Sequence, residues 1–211
     1  MDSHRLLAHA QRLQAIAQTG LTYGSDPYHR ERYEEVRTIS AQLIAELSDE
    51  PLDKIIRVFA SDSGYPTPKV DVRAVVLSDA GELLMVRESL DGARWTLPGG
   101  WADVGYTPFE TAAKEVLEET GLVVEPVRLL ALLDKRKHDH PPQPWYVYKA
   151  FIQCTVKGGS LLQTTTETDG AQWFAERDLS ALELSTDRTT ASQLHTVLRL
   201  AGDRHAAVLC D

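Results

Sequence analysis

The chain has 211 residues, of which 43% are hydrophobic and 25% charged, and its formal net charge is −9 at pH 7. This composition is typical of a folded globular protein and argues against a disordered one. Nucleic-acid affinity rests on Lys and Arg side chains that neutralise phosphates, so the acidic balance argues against a general nucleic-acid binder. It still permits a phosphate ligand bridged by a metal ion, because a bound cation can invert the local field.

The amino terminus and the cysteines indicate the compartment. Residues 1–20 contain no long apolar run, so they predict neither a signal peptide nor a membrane span. The chain's two cysteines, Cys154 and Cys210, lie far apart in sequence and are expected to be reduced thiols. We therefore expect a cytoplasmic protein with no membrane partner.

Helical periodicity dominates the amino-terminal region. Apolar residues over 4–19 recur at the spacing of one helix face. A second amphipathic helix follows, which Ser25 or Asp26 can cap, and Pro27 suits its first turn. A helical hairpin of this length has little core of its own. Its apolar face should therefore pack against the rest of the chain or against a second copy.

A proline-containing connector, with a short helix at about 51–60, separates these helices from the rest of the chain. The boundary is predicted near residue 66. This division gives a helical extension over 1–66, which is a candidate dimerisation element, and a second domain over 67–211.

Beyond the boundary, short apolar runs are separated by turn residues, which is typical of β-strands. The predicted strands lie at 70–78, 81–88, 93–100, 127–134, 145–156 and 170–174. Two helices are predicted, at about 107–120 and about 188–201. Strands with one helix inserted early and one late favour an α/β sandwich over a regular βαβ array.

The first of these two helices has clear start and stop signals. Thr107 can cap it, Pro108 suits the first helical position, and Glu110 can close a capping box. Gly121 is placed to end it in the left-handed conformation that glycine favours.

Three glutamates, Glu115, Glu118 and Glu119, share one face of this helix. Like charges at this spacing repel one another, so the face is either a solvated acidic surface or a cation site. The sequence "LPGGW" just before the helix predicts a glycine turn that brings backbone close to the acids. Clustered carboxylates with a nearby carbonyl are the ligands that Mg²⁺ or Mn²⁺ prefers, which favours the cation site.

The stretch from Gly100 to Leu122 resembles the Nudix box. That motif is a Gly, five residues, Glu, seven residues, Arg-Glu, an aliphatic residue, any residue, Glu-Glu, any residue, Gly and an aliphatic residue. The positions that match at the correct spacing are Gly100, Glu115, Val116, Glu118, Glu119, Gly121 and Leu122.

Two positions depart from the box: Tyr106 replaces its first Glu, and Lys114 replaces its Arg. In the family the first Glu is the least critical acid for the metal, and Asp103 is a candidate substitute. The Arg normally pairs with the box glutamates, and Lys114 keeps its charge but lacks the bidentate fork. The resemblance therefore implies an active enzyme with an intact metal core.

The resemblance also implies a fold and a set of site residues. The fold would be the Nudix α/β/α sandwich with a mixed sheet, preceded by the small helical domain. The implied ligands of Mg²⁺ or Mn²⁺ are Glu115, Glu118, Glu119 and the carbonyl of Gly100. Glu118, Glu119 and Lys114 would also serve catalysis. A base or further ligand would come from a loop near the end of the sheet, where Glu167 is the first candidate and Asp169 the second.

Substrate contacts are predicted at Arg73, Arg87 and Arg94, which lie near strand ends flanking the cleft of this fold, and at Trp101 beside the glycine turn. Weaker candidates lie in "KRKHDHPPQPWY". His138 and His140 are too few for a zinc site, so a polar loop is the expected reading. The aromatic residues of that stretch, Trp145 and Tyr146, are expected to pack rather than stack on a base.

A second resemblance concerns the stretch "LTYGSDPYHRERYEEVR". It is similar to the helical extension found before some Nudix domains that hydrolyse nucleoside diphosphates linked to another moiety. With "PGGWADVG" and the box, it is similar to the branch that includes CDP-choline pyrophosphatases and ADP-ribose pyrophosphatase-like proteins. That branch implies a homodimer that releases a nucleoside monophosphate and a phosphorylated X group.

Two other functions stay open from the sequence. One is a Nudix enzyme that cleanses oxidised nucleoside triphosphates. The other is a non-catalytic, ligand-sensing regulator whose helices bind a partner. A DNA-reading module should show a basic recognition helix, whereas "HRERYEEVR" mixes both signs.

Overall fold

The computed structural model describes residues 3–60 and 62–211. Within this part of the chain the residues form two compact units. The first contains Met1–Pro68 and Pro142–Tyr146, and the second contains Lys69–Pro141 and Val147–Asp211.

Three helices build the first unit within its described residues: α1 (Ser3–Tyr23), α2 (Pro27–Ser48) and α3 (Leu52–Ala60). The Asp26 side chain caps α2 by accepting hydrogen bonds from the backbone N–H groups of Tyr28 and His29. The shared core is small. Its buried apolar members are Leu7, Ala10, Ala41, Ile44, Ala45 and Ile55.

Large apolar side chains on α1 and α2 remain exposed to solvent, as do Leu52 and Ile56 on α3. They include Leu13, Ile16, Ile39 and Leu43. Among the described residues, none of the helices is both long enough and apolar enough to cross a membrane.

Over its described residues, the second unit contains two sheets and two α-helices. The strands are β1 (Lys69–Val76), β2 (Leu83–Glu88), β3 (Arg94–Thr96), β4 (Gly99–Trp101), β5 (Leu122–Asp134), β6 (Val147–Gly159), β7 (Thr168–Phe174) and β8 (Leu209–Cys210). The helices are α4 (Pro108–Thr120) and α5 (Ala191–Gly202).

The larger sheet is mixed. Its strand order is β4-β1-β6-β5-β8, in which β1 pairs with β6 in parallel and with β4 antiparallel. The smaller sheet has the order β3-β2-β7 with antiparallel pairs. Alternation along β1 sends Val75 into one core with Val197 of α5 and sends Val76 into another with Val116 of α4. This arrangement confirms the predicted α/β/α sandwich with a mixed sheet.

The run predicted as one strand over 93–100 is two strands that belong to different sheets. β3 pairs with β2, and after Leu97 and Pro98 the chain continues as β4, which pairs with β1. Proline lacks a backbone N–H and cannot continue a ladder, so the switch falls there. This crossing places the glycine turn at the edge of the larger sheet.

Strand β8 was not predicted. It pairs in parallel with β5, and the Asp211 carboxylate accepts a hydrogen bond from the backbone N–H of Asp134 at 2.8 Å. Two residues are too short a run to show a periodic pattern in sequence.

Candidate active site

Helix α4 carries the predicted acids, and its ends are fixed as the sequence indicated. The Thr107 hydroxyl accepts from the backbone N–H of Glu110 at 3.2 Å, and the Glu110 carboxylate accepts from the Thr107 N–H at 2.8 Å. Gly121 ends the helix at φ 77°, in the left-handed region. The capping box and the terminal glycine therefore set the first and last residues of α4.

The glycine turn holds two of the glutamates. Gly99 and Gly100 of β4 pair with β1, and the Gly99 N–H donates to Oε2 of Glu119 at 2.9 Å. At Gly100, an added Cβ would lie 3.1 Å from Oε2 of Glu115. Both carboxylates therefore pack directly against backbone that has no side chain.

Three carboxylates converge beside this turn. Among the described residues, one oxygen from each of Glu115, Glu119 and Glu167 lies within 4.8 Å of the other two. Glu115 and Glu119 are buried, whereas Glu167 is exposed. Carboxylate oxygens are the donors that Mg²⁺ and Mn²⁺ take, so this donor set fits a divalent cation.

The loop that carries Glu167 is tied to the end of α4. The Thr168 hydroxyl donates to the main-chain carbonyl of Glu119 at 2.9 Å. Thr165 closes the loop by accepting from the backbone N–H of Glu167 at 3.2 Å. A residue 48 positions after Glu119 in sequence is thereby held next to it.

Glu118 lies outside this three-carboxylate cluster. Its side chain is half exposed and accepts a hydrogen bond from Nζ of Lys114 at 2.9 Å. Lys114 also lies 3.3 Å from Oε1 of Glu115 and 4.0 Å from Asp103. The hydrogen bond to Glu118 raises the pKa of Lys114 above its ordinary value. Lys114 thus supplies positive charge between three acids.

Burial dominates the electrostatics of the two inner acids. It raises the pKa of Glu119 to about 8, although the charge of Arg73 and the Gly99 hydrogen bond act in the opposite direction. Burial also raises the pKa of Glu115, against the lowering effect of Lys114. The protein alone therefore disfavours the ionised pair, and a bound cation would offset that penalty.

The residues predicted to bind substrate have different partners. Arg73 is buried against Asp71 and the Leu97 carbonyl. Arg87 is exposed and lies over the ring of Trp95, 5.5 Å from its centroid.

Two further substrate candidates are at least partly exposed. Arg94 pairs with Asp91 at 3.2 Å and with Glu183 at 3.3 Å. Trp101 is 48% exposed at the end of β4, next to the glycine turn. An exposed aromatic side chain at that position is available to a ligand.

The remaining side chains that the sequence singled out do not form a common cluster among the described residues. Tyr106 is half exposed, and Asp169 accepts a hydrogen bond from the Ser89 hydroxyl at 2.9 Å. His138 lies 3.1 Å from the Asp211 carboxylate, whereas Nδ1 of His140 lies 2.5 Å from the Thr186 carbonyl. The two histidines therefore have separate partners.

Sequence reasoning missed a buried charged group beside the turn. Asp71, Arg73 and Lys149 are all buried, and Asp71 contacts both cations. One signal was available: Asp71 and Arg73 alternate with valines in "VDVRAVV", so both face the same side of a strand. Lys149 comes from a distant strand, and only the register of the parallel pair places it opposite Asp71.

Comparison with known families agrees with this geometry. The NUDIX domain profile matches residues 67–194. A profile described as the UDP-X-like, N-terminal oligomerisation domain matches residues 4–59. The matched regions together span most of the chain.

Three similar proteins cover large parts of the chain. A Bacillus subtilis (strain 168) protein, provisionally named as an ADP-ribose pyrophosphatase, is 46% identical over 188 residues, which are 89% of this chain and 88% of that protein. A solved ADP-ribose pyrophosphatase from Streptococcus suis is 36% identical with a TM-score of 0.61, over 69% of this chain and 100% of its own. A solved UDP-X diphosphatase is 32% identical with a TM-score of 0.62, over 99% of this chain and 100% of its own.

These matches, together with the box and the sandwich, confirm the resemblance. The chain belongs to the Nudix family and is a hydrolase that acts on diphosphate bonds.

Proposed function

We propose that this chain is a metal-dependent pyrophosphohydrolase of nucleoside diphosphates linked to another moiety. It would release a nucleoside monophosphate and the phosphorylated X group. The observation that carries the proposal is the convergence of Glu115, Glu119 and Glu167 beside the glycine turn. ADP-ribose is the first substrate to test, because relatives named for that activity align over much of the chain. UDP-linked compounds and CDP-choline follow.

A divalent cation, Mg²⁺ or Mn²⁺, would be held by Glu115 and Glu119, with the Gly100 carbonyl as a further ligand and with Glu167 beside the ion on the exposed side of the cluster. When bound, such an ion neutralises phosphate charge and lowers the pKa of water. Glu115 and Glu119 are fixed by the turn and buried, so they suit permanent ligands. Glu118 would act at a second, outer position, since it lies on the same helix but faces solvent.

Glu167 would take the proton from the attacking water. It is the exposed member of the cluster, so its carboxylate is available to a water molecule from solvent. Lys114 would orient Glu115 and Glu118 and thereby assist catalysis. The two exposed or partly exposed arginines, Arg87 and Arg94, and Trp101 would contact the substrate outside the metal site.

Residues 1–66 would form the dimerisation element, and residues 67–211 the catalytic domain. The exposed apolar side chains of α1 and α2 and the match to an oligomerisation domain support a homodimer. The proposed compartment is the cytoplasm, where the thiols of Cys154 and Cys210 would stay reduced.

Chromatographic product analysis tests this function. The protein would be incubated with ADP-ribose, UDP-linked compounds, CDP-choline and nucleoside triphosphates, each with Mg²⁺, Mn²⁺ or chelator. Metal-dependent release of a nucleoside monophosphate from a linked diphosphate is expected, and the Glu119→Gln variant should lose it.

Other products would point elsewhere. Pyrophosphate released from triphosphates alone would contradict the proposal and favour the cleansing function. Binding of these compounds without any turnover would favour a ligand-sensing regulator.

A further inference from the structure

Three charged side chains lie buried in the larger sheet: Asp71 and Arg73 on β1, and Lys149 on β6. Lys149 is 0% exposed, Arg73 5% and Asp71 6%. Asp71 and Lys149 face each other across the parallel pair. We call these three residues the buried charge cluster. Removing such groups from water is unfavourable, and apolar residues of similar volume often stabilise a core better. Stability alone is therefore a weak explanation for the cluster.

Each nitrogen of the Arg73 guanidinium contacts a protein acceptor. Its Nε and Nη2 each lie 2.9 Å from Oδ1 of Asp71. Its Nη1 donates to the main-chain carbonyl of Leu97 at 3.2 Å. Lys149 contacts the other oxygen of Asp71. Each nitrogen of the fork thus has a partner, and each oxygen of the carboxylate has a cation.

The Leu97 carbonyl is the point at which this cluster reaches the metal site. Leu97 immediately precedes Pro98 and the glycine turn, where the chain passes from one sheet to the other. The next peptide is also held by β1, because the Ala74 N–H donates to the Pro98 carbonyl at 2.8 Å. Strand register then sets Arg73 opposite Gly99, whose N–H donates to Glu119.

We propose that the buried charge cluster is a positioning device for the metal site. It rests on the proposed function of Glu115 and Glu119 as metal ligands. Arg73 holds the Leu97 carbonyl and thereby the glycine turn that orients both carboxylates. Asp71, clamped by Lys149, holds Arg73. Arg73 is then a positioning residue and not the phosphate contact that its sequence position suggests.

Arg73→Lys is the decisive variant. Lysine keeps the charge, but its single ammonium group cannot contact Asp71 through two nitrogens and reach the Leu97 carbonyl at the same time. The matched control is Arg128→Lys in the same unit. The Arg128 guanidinium donates to the main-chain carbonyls of Leu200 at 2.6 Å and Asp203 at 2.8 Å. Both substitutions remove an arginine fork from backbone carbonyls, but only Arg73 contacts the peptide before the glycine turn.

Three quantities would be measured on the full chain: Mn²⁺ affinity by electron paramagnetic resonance, kcat and KM for the linked diphosphate, and the thermal midpoint in chelator. For Arg73→Lys we expect about 10-fold or greater loss of Mn²⁺ affinity and a lower kcat, with KM within about twofold of wild type. We expect both variants to lower the thermal midpoint to a comparable extent. Arg128→Lys should nevertheless leave the Mn²⁺ affinity unchanged. If Arg73→Lys does not fold, Asp71→Asn provides the same comparison and should lose Mn²⁺ affinity as well.

Three results would overturn the proposal. A raised KM with wild-type Mn²⁺ affinity would make Arg73 a substrate contact. Equal effects of both arginine variants on every quantity would make the cluster a general structural element. A wild-type protein that binds no Mn²⁺ would overturn the proposed function and this inference together. A wild-type protein that binds Mn²⁺ but cleaves no diphosphate would overturn only the function, because the affinity comparison still decides the role of the cluster.

Discussion

The backbone N–H of Gly99 donates to the Glu119 carboxylate at 2.9 Å, so a strand residue orients an acid of the neighbouring helix. Gly99 has φ 143°, and a Cβ there would collide with the Val72 carbonyl oxygen. Only glycine can occupy this position without strain. The next residue, Gly100, has a different constraint, because its absent side chain leaves room for the Glu115 carboxylate.

These two glycines should respond differently to alanine. Gly99→Ala forces an unfavourable φ as well as the collision, so we expect a loss of about 1–3 kcal/mol or more in the free energy of unfolding. Gly100→Ala displaces Glu115 by a few tenths of an ångström, and we expect near-normal stability with about 10-fold weaker Mn²⁺ binding. Urea unfolding in chelator and Mn²⁺ titration test both. Wild-type Mn²⁺ affinity in Gly100→Ala would contradict the assignment of Glu115 as a ligand.

Glu119→Gln should separate stability from activity. Burial raises the pKa of Glu119 to about 8, so at pH 9 the metal-free protein carries an ionised carboxylate in an unfavourable site. Glutamine removes that charge and cannot serve as a strong metal ligand. We expect kcat to fall by about 100-fold or more, while the thermal midpoint in chelator at pH 9 rises. A variant that loses both stability and activity would indicate a structural role.

Glu167→Gln tests the proposed base. The side chain is exposed, so its substitution should leave the thermal midpoint unchanged. Removing a general base lowers kcat by about 10²–10⁴-fold, and we expect a loss in this range for Glu167→Gln. The control is Asp169→Asn. The Asp169 carboxylate accepts a hydrogen bond from the Ser89 hydroxyl, so this substitution should affect kcat far less. The reverse ranking of the two variants would make Asp169 the base.

His140 should make the protein acid-sensitive. Burial lowers the pKa of its imidazole to about 3, assisted by the positive charges of Lys149 and Lys135 and opposed by the hydrogen bond to Thr186. That bond is 2.5 Å long and ends on a carbonyl, which only accepts, so Nδ1 carries the proton of a neutral ring. Between the unfolded pKa of 6.5 and the folded value, only the unfolded chain binds the extra proton. The neutral His140 therefore makes its full contribution to the free energy of unfolding above pH 6.5. This contribution is lost progressively as the pH falls.

Between pH 6.5 and pH 5 we expect His140 to lower the free energy of unfolding by about 2 kcal/mol. His140→Asn is the matched variant, since its amide can still donate to the Thr186 carbonyl but does not titrate. Urea unfolding of both proteins at the two pH values separates the effect of His140 on stability from the effects of the other titratable groups. Identical pH dependence of wild type and variant would show that the histidine is protonated in the fold.

The features that could be predicted from the sequence depend on residues that lie close together in the chain. Thr107, Pro108 and Gly121 act through neighbouring backbone, so the bounds of α4 could be read directly. The Nudix box has fixed spacing on one loop and one helix, so the family and the sandwich could be recognised from it.

What escaped prediction depends on pairing between distant strands. Lys149 lies 78 residues after Asp71, and nothing in either segment reveals the parallel register that joins them. Glu118 shares a helix face with Glu115 by spacing, yet its side chain is half exposed and pairs with Lys114. The switch of sheets at Pro98 likewise depends on which neighbours each half finds.

The helical unit is assembled from two separate stretches of chain, and this limits how the protein can be divided. The Gln11 side chain donates to the main-chain carbonyls of Gln143 at 2.8 Å and Pro144 at 3.1 Å. A truncated protein that lacks residues 1–68 would therefore retain 142–146 without these partners. Low stability or aggregation of such a fragment would be explained by the lost partners of residues 142–146 as well as by loss of the proposed dimer contact. Point substitutions on the exposed faces of the helices are the cleaner way to study assembly.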